Sequence, residues 1–341
     1  MLTDQRKCLS GFEARLVALA DEHRYLFSHA TLPSTAGPSG VRLGSSVMDW
    51  VERVAGIRRW VRDGERAPHK PLLLLYALGC FQRRGGEPIA FSAAEADLRH
   101  LLKEFGPPRE TSPGYPFHHL TSDGVWLVDT VNGAGSPGSG LGRLRESQAV
   151  GRLHPDLLRA LTDDSQLVVR LARQLLDANF APSLHPDICR FVGLELDGVE
   201  LVPRRTARVR RGAEFRDQVL MAYEYRCAFC EYDGRLGGAV VGLDAAHVRW
   251  WAFEGADELA NGLCLCAIHH KLLDKGVLGV TAERTIAVSM RFTGDSAAAK
   301  AMVLSLVGRP VRGPQAGLRA VDRANIEWHD RQVFHAPARH A

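Results

Sequence analysis

No stretch of the 341 residues approaches the 18 or more consecutive apolar positions that a membrane-spanning helix requires, and the opening MLTDQRKCLSGFEARL has no uninterrupted apolar core of signal-peptide type. A soluble, cytoplasmic protein with no membrane partner is the expectation. A strong charge imbalance is missing as well. With a net charge of only +4, any contact with a polyanion must come from local clusters and not from the whole-chain balance. Repeats at 20 to 50 residue spacing are absent, which excludes a solenoid. The cysteines are seven, an odd number, and four of them fall between Cys227 and Cys266. That distribution suits a reduced compartment and a metal site better than a disulfide framework. Cys8, Cys80 and Cys189 are left over and read as ordinary small core or surface residues.

What is present is ordinary globular material, 45% hydrophobic and 24% charged, long enough for two cores. Residues 4–29 carry Phe12, Leu16, Leu19 and Ala20 at helical spacing, and residues 31–47 are rich in Pro, Gly and Ser, so 1–47 reads as a helical extension and linker. A second start-like segment opens at Met48. HKPLLLLYALGCFQRRGG predicts a buried helix with Pro71 in its first turn and a stop at Gly85–Gly86, which places Arg66, His69 and Lys70 where a helix N-terminus can meet an anion. Residues 92–105 predict a further helix, FGPPRETSPGYPF a stiff turn, VWLVDTV a strand, GAGSPGSGLG a flexible loop, and 153–180 two helices. The basic segment 196–213, with Arg204, Arg205, Arg208, Arg210 and Arg211, is the expected linker between a domain at 48–195 and another at 214–310. Residues 311–341, with His329, His335 and His340, are expected to form a solvated tail.

Cys227 and Cys230 form a Cys-x2-Cys knuckle, and Cys266 with His269 a Cys-x2-His knuckle after 35 intervening residues. Two pairs of ligands, each from one tight turn, are what tetrahedral structural zinc needs. Reduced core thiols beside an unrelated histidine are the plainer alternative, and the pairing on both sides argues against it.

Between the knuckles lie LDAAHVRWW and NGLCLCAIHHKLLDKG. Here the sequence resembles the HNH endonucleases, in which a hairpin carrying the first His, a loop carrying Asn and a helix carrying the last His clamp one divalent ion. His247, Asn261 and His270 match that set, and the resemblance covers roughly 214–285. Phosphodiester hydrolysis needs a base for water and a metal to stabilise charge on the phosphate. His247 is then the base, Asn261 orients the imidazole or the loop, and His270 holds a catalytic Mg2+, Mn2+ or other divalent ion with Asp274, four residues on along the same helix face. The commonest pattern has Asp immediately before the first His; Ala246 stands there, and Asp244 is the candidate to replace it.

RAPHKPLLLLYALG, FGPPRETSPGYPFHHL and LLDANFAPSLHPDICRFVGL, followed by the HNH segment, resemble the phosphorothioated-DNA-binding restriction endonucleases of the McrA-like type IV group. The resemblance implies a sulfur-binding domain that detects a phosphate bearing sulfur in place of a non-bridging oxygen. Tyr115 and Pro116 match the family's pocket motif, with Phe117, His118 and His119 beside them and Arg66, Lys70, Arg109 and Arg143 as the cationic surround. A core-anchoring turn with a solvated basic rim is the alternative for these residues. The fold expected is α+β: a mainly helical N-terminal sulfur-binding domain with a small sheet, joined to a ββα-metal nuclease domain stapled by zinc. The function implied is a nuclease that cuts phosphorothioated double-stranded DNA in a defence role, either as a homodimer or by two independent nicks. A methylated-DNA nuclease and a non-cleaving DNA reader are the competing readings.

Overall fold

The protein's structure, a computed structural model, describes residues 49–57, 67–196 and 207–340, and side chains of the last segment from 214 onward. The expected helix at 4–29, the linker at 31–47, Cys8, Arg66, Arg204 and Arg205 lie outside the described residues, as do the side chains of Arg208, Arg210 and Arg211.

The N-terminal part is built around one apolar helix. After α1 (Trp50–Ala55), capped by the Asp49 carboxylate on the Val51 and Glu52 amides, comes α2 (His69–Arg84). Pro71 sits in its first turn, where a missing N–H costs nothing, and Leu72, Leu73, Leu74, Leu75 and Leu78 are all buried. A helix apolar on every side must be surrounded. Gly85, at φ 68°, ends it as the Gly-Gly signal predicts. Gly79 lets α2 approach a neighbouring helix closely: a Cβ there would lie 2.0 Å from the Val192 carbonyl oxygen. Gly79→Ala is therefore expected to lower unfolding free energy by about 1–3 kcal/mol through overpacking, measurable by urea denaturation.

Around α2 lie β1 (Ile89–Ala90), α3 (Phe91–Phe105), α4 (Gly114–His119), β2 (Trp126–Thr130), β3 (Gly133–Ala134), α5 (Leu141–Glu146), β4 (Val150–Leu153), α6 (Pro155–Asp163), α7 (Ser165–Asp177) and α8 (His185–Val192). The strands form one antiparallel sheet in the order β1-β4-β2-β3. The segment expected to be a stiff turn is irregular only to Pro113; from Gly114 it is helical. Its anchor is Phe117, which packs edge-on against Phe91 at 5.0 Å and Trp126 at 5.5 Å, while the Trp126 indole donates to the Phe117 carbonyl.

The C-terminal part opens with α9 (Ala207–Ala222), which begins inside the expected linker because its arginines are good helix formers. A short hairpin, β5 (Arg235–Leu236) and β6 (Ala239–Val240), precedes the central unit. There β7 (Leu243–His247) pairs antiparallel with β8 (Gly262–Cys266), and α10 (Ala267–Asp274) follows at once, giving a ββα unit with His247 opposite Gly262. β9 (Leu278–Val280), β10 (Ile286–Val288), α11 (Ala297–Met302) and α12 (Arg323–Gln332) complete it.

The solvated tail is not observed. α12 buries Ile326, Trp328 and His329, and the His329 ring lies 3.0 Å from the Leu273 carbonyl oxygen; His335 is half-buried and His340 exposed. Burying the apolar end of α10 explains why this segment folds back. Residues Met48–Ala341 form one compact unit. Trp250, Phe253, Trp328 and Val333 belong to the apolar core of the N-terminal part, whereas Phe215, Val219, Leu263 and Leu273 centre a second core. Among the described residues no helix is long and apolar enough to cross a membrane.

Candidate functional site

The two knuckles converge. Cys227, Cys230, Cys266 and His269 place their ligand atoms within 4.8 Å of one another, the one such group among the described residues. Cys227 Sγ is 3.4 Å and Cys266 Sγ 3.2 Å from His269 Nδ1, and Cys230 Sγ is 4.0 Å from Cys266 Sγ. Zinc–ligand bonds of about 2.0–2.3 Å give a tetrahedron with edges of roughly 3.5–3.8 Å, so the set fits a zinc-sized ion. Hydrogen bonding from Cys230 and Cys266 holds the Cys227 thiol well below the ordinary range, toward the thiolate that binds metal. His269 Nε2 lies 2.8 Å from the Met302 carbonyl oxygen, which fixes the ring with Nδ1 turned to the sulfurs.

The neighbouring residue, His270, points elsewhere, because successive residues on a helix are turned about 100° apart. It enters a cavity of about 200 Å3 lined by His247, Asp257, His270 and Asp274 on one side and by Asp177, Phe180 and His185 of the N-terminal part on the other. The His247 ring stacks on Phe215 (4.2 Å between centroids, 22°), and its Nε2 lies 2.8 Å from Asp257 Oδ1. His270 Nε2 is 3.4 Å from Asp274 Oδ2. Asp274 is fully enclosed, and desolvation raises its carboxyl above the ordinary range against the opposing pull of His270 and the Ser183 hydroxyl.

Two candidate residues take a narrower place than the spacing alone allows. Buried Asn261 spends its side-chain hydrogen bonds on the backbone: its Oδ1 accepts from the Arg249 amide at 2.8 Å and its Nδ2 donates to the Arg249 and Ala256 carbonyls, so it closes the loop between His247 and Asp257. Asp244 lies 3.7 Å from His270 Nδ1 and 3.2 Å from Arg216, at the opposite ring edge from Asp274. The two ring nitrogens face apart, so Asp244 is not gathered with Asp274 around one point. Asp257, Phe215 and Ser183 were not legible as site residues. Asp257 had one weak signal, a carboxylate four positions before Asn261.

A second group surrounds Tyr115, which is 36% exposed at the start of α4. Its ring lies 4.3 Å from that of His119 and 5.8 Å, edge-on, from that of His69. His69 is buried and 2.9 Å from the Thr111 hydroxyl; His118 Nδ1 is 2.8 Å from the Ser136 hydroxyl. Burial, helped by His118 and Lys70, lowers the His119 pKa below the ordinary imidazole range. Pro116 is buried. Phe117 is not a contact residue: it is fully enclosed between Phe91 and Trp126, because the first turn of α4 needs an apolar anchor on the core. Lys70 is not an open cation either, since it pairs at 2.6 Å with Asp123 and both side chains are nearly covered. Arg109 and Arg143 are exposed.

Residues 47–197 match the family model of the ScoMcrA-like DNA sulfur-binding domain, and residues 227–281 match that of the HNH endonucleases. The chain carries a DNA sulfur-binding domain and an HNH endonuclease domain. It is a DNA endonuclease whose ββα unit is the HNH fold and whose helical part is the sulfur-binding fold. Similar solved structures include the sulfur-binding domain of ScoMcrA complexed with phosphorothioated DNA (23% identity, 43% of this chain and 96% of that chain, TM-score 0.37). The sulfur-binding domain of SprMcrA complexed with phosphorothioated DNA is 26% identical over 42% of this chain and 91% of that one, with a TM-score of 0.36. The type IV phosphorothioation-dependent restriction endonuclease ScoMcrA itself is 22% identical over 43% of this chain but only 32% of its own, with a TM-score of 0.36. No curated protein matches the chain.

Proposed function

We propose that this protein is a modification-dependent restriction endonuclease that binds phosphorothioated double-stranded DNA and hydrolyses phosphodiester bonds at the cavity of His247, His270 and Asp274. The observation that carries the reading is the presence, in one compact unit, of a sulfur-binding domain and an HNH cavity holding those three side chains. Sulfur is larger, more polarizable and less hydrated than oxygen, so an aromatic edge such as Tyr115 favours it while Arg109 and Arg143 meet the phosphate charge.

At the cutting centre, the His247 Nε2–H donates a hydrogen bond to Asp257 Oδ1, leaving Nδ1 as the base that takes a proton from water. Asn261 holds the loop on which Asp257 sits. His270 Nε2 and Asp274 Oδ2, 3.4 Å apart, would hold a shared divalent cation, Mg2+ or Mn2+ being the expected ions. Such an ion, when bound, stabilises charge on the phosphate and the leaving oxygen. Cys227, Cys230, Cys266 and His269 would hold a structural zinc. With one cutting centre per chain, cleavage of both strands takes two copies or two nicks.

The test is to present the purified protein, with Mg2+ or Mn2+, with matched duplexes that are plain, phosphorothioated in the natural stereochemistry, or methylated. Selective cutting of the sulfur duplex is expected; equal cutting of all three defeats the reading, and sulfur-selective binding without cutting in any metal makes the protein a reader. Tyr115→Ala is expected to lower the preference for sulfur about tenfold, roughly 1.4 kcal/mol, with unchanged zinc content. An unaltered binding ratio of sulfur to plain duplex removes Tyr115 from the pocket.

A further inference from the structure

The cavity of the HNH domain is closed by the sulfur-binding domain, and one contact crosses between them at the candidate cation site. Ser183, in the turn between α7 and α8, donates its hydroxyl to Asp274 Oδ2 at 2.5 Å. Asp274 has no solvent to meet this need, being 3% exposed, so a hydroxyl from another domain replaces water on a buried carboxylate. Oδ2 carries two lone pairs, and it can accept from Ser183 while facing His270.

Ser183 is itself held in place from α10. Lys271, the residue after His270, donates to the Ser183 carbonyl and pairs with Asp187 at 2.7 Å. One turn further, Lys275 lies 4.2 Å over the Phe105 ring and 3.5 Å from Glu104. The helix that presents both cation-facing side chains therefore grips the sulfur-binding domain along its length.

We propose that Ser183 is a positioning residue of the nuclease centre: the sulfur-binding domain supplies the hydroxyl that fixes the Asp274 carboxylate for the cation shared with His270. The cutting centre is then complete only with the two domains docked as they are here. This rests on the reading of His270 and Asp274 given above. Partners that orient a metal-ligating carboxylate or imidazole are worth about 10- to 100-fold in metal affinity.

The experiment compares full-length, zinc-loaded wild type, Ser183→Ala and Ser183→Thr, with Mn2+ binding followed by electron paramagnetic resonance in the absence of DNA. Ser183→Ala is expected to raise the Mn2+ dissociation constant about tenfold or more, and Ser183→Thr, which keeps the hydroxyl, to restore it. Binding of phosphorothioated duplex is expected to stay unchanged, and cleavage by Ser183→Ala to recover in part as Mn2+ is raised. An unchanged Mn2+ constant overturns the proposal, as does a wild type that binds no Mn2+. Faster cutting by Ser183→Ala also overturns it, since the contact would then be holding the centre shut. If Ser183→Ala does not fold, Asp187→Asn loosens the same turn through Lys271, and an unchanged Mn2+ constant in that variant counts equally against the proposal. Failure of the sulfur reading is separate: wild type would bind plain and phosphorothioated duplexes alike while the Mn2+ result stood.

Discussion

His247→Ala is expected to lower cleavage of a phosphorothioated duplex by about 10²- to 10⁴-fold, the usual contribution of a positioned general base, while leaving duplex binding and zinc content at wild-type values. The ring sits at the end of β7, fixed by the Phe215 stack and by Asp257, and is only partly covered, so its removal leaves the ββα hairpin pairing intact. Single-turnover cleavage, with binding measured in parallel on the same duplex, checks it. A variant that loses binding and zinc together with cutting shows that His247 is structural; one that cuts at the wild-type rate removes it as the base.

Cys266→Ser is expected to have the largest effect on folding. Cys266 ends β8, forms the N-cap of α10 and stands within hydrogen-bonding reach of His269. Zinc binding to structural sites of this kind amounts to about 10–16 kcal/mol, comparable with the roughly 5–15 kcal/mol that holds a whole domain folded. Loss of one ligand should therefore release the ion and unfold the HNH part. The α2 helix and the helices packed on it belong to a different apolar core from the one that holds Cys227 and Cys266, although that core also takes Trp250, Phe253 and Trp328 from the C-terminal part, so sulfur-selective binding should fall less than cleavage. Metal analysis by mass spectrometry together with circular dichroism decides it, and wild-type zinc stoichiometry in the variant overturns the assignment.

Much of the architecture was legible because it depends on local rules. The run Leu72–Leu75 with Pro71 before it and Gly85 after it could only be a buried helix with those ends. The paired knuckles and the His247, Asn261 and His270 spacing marked the ββα unit, since a hairpin and the helix that follows it are a contiguous segment. Phe117 follows Tyr115 in sequence yet faces the core, because neighbours in sequence need not share a face, and Lys70, at the N-terminus of α2, meets Asp123, a partner 53 residues away that no local spacing reveals. His329 was read as solvated because nothing in its own segment shows that α12 packs on α10.

The sequence by itself determined the two modules, the Cys227, Cys230, Cys266 and His269 set, and the triad, because each rests on residue type at fixed short spacing. Only the tertiary structure decided that Asn261 serves the loop and not the ring, that Asp257 meets His247, that Asp244 and Asp274 stand on opposite edges of His270, and that Ser183 reaches Asp274 from 91 residues away. Those pairings depend on where separate elements dock, which is set by burial of Trp250, Phe253 and Trp328 in the shared core, a non-directional force that leaves no spacing signal in the chain.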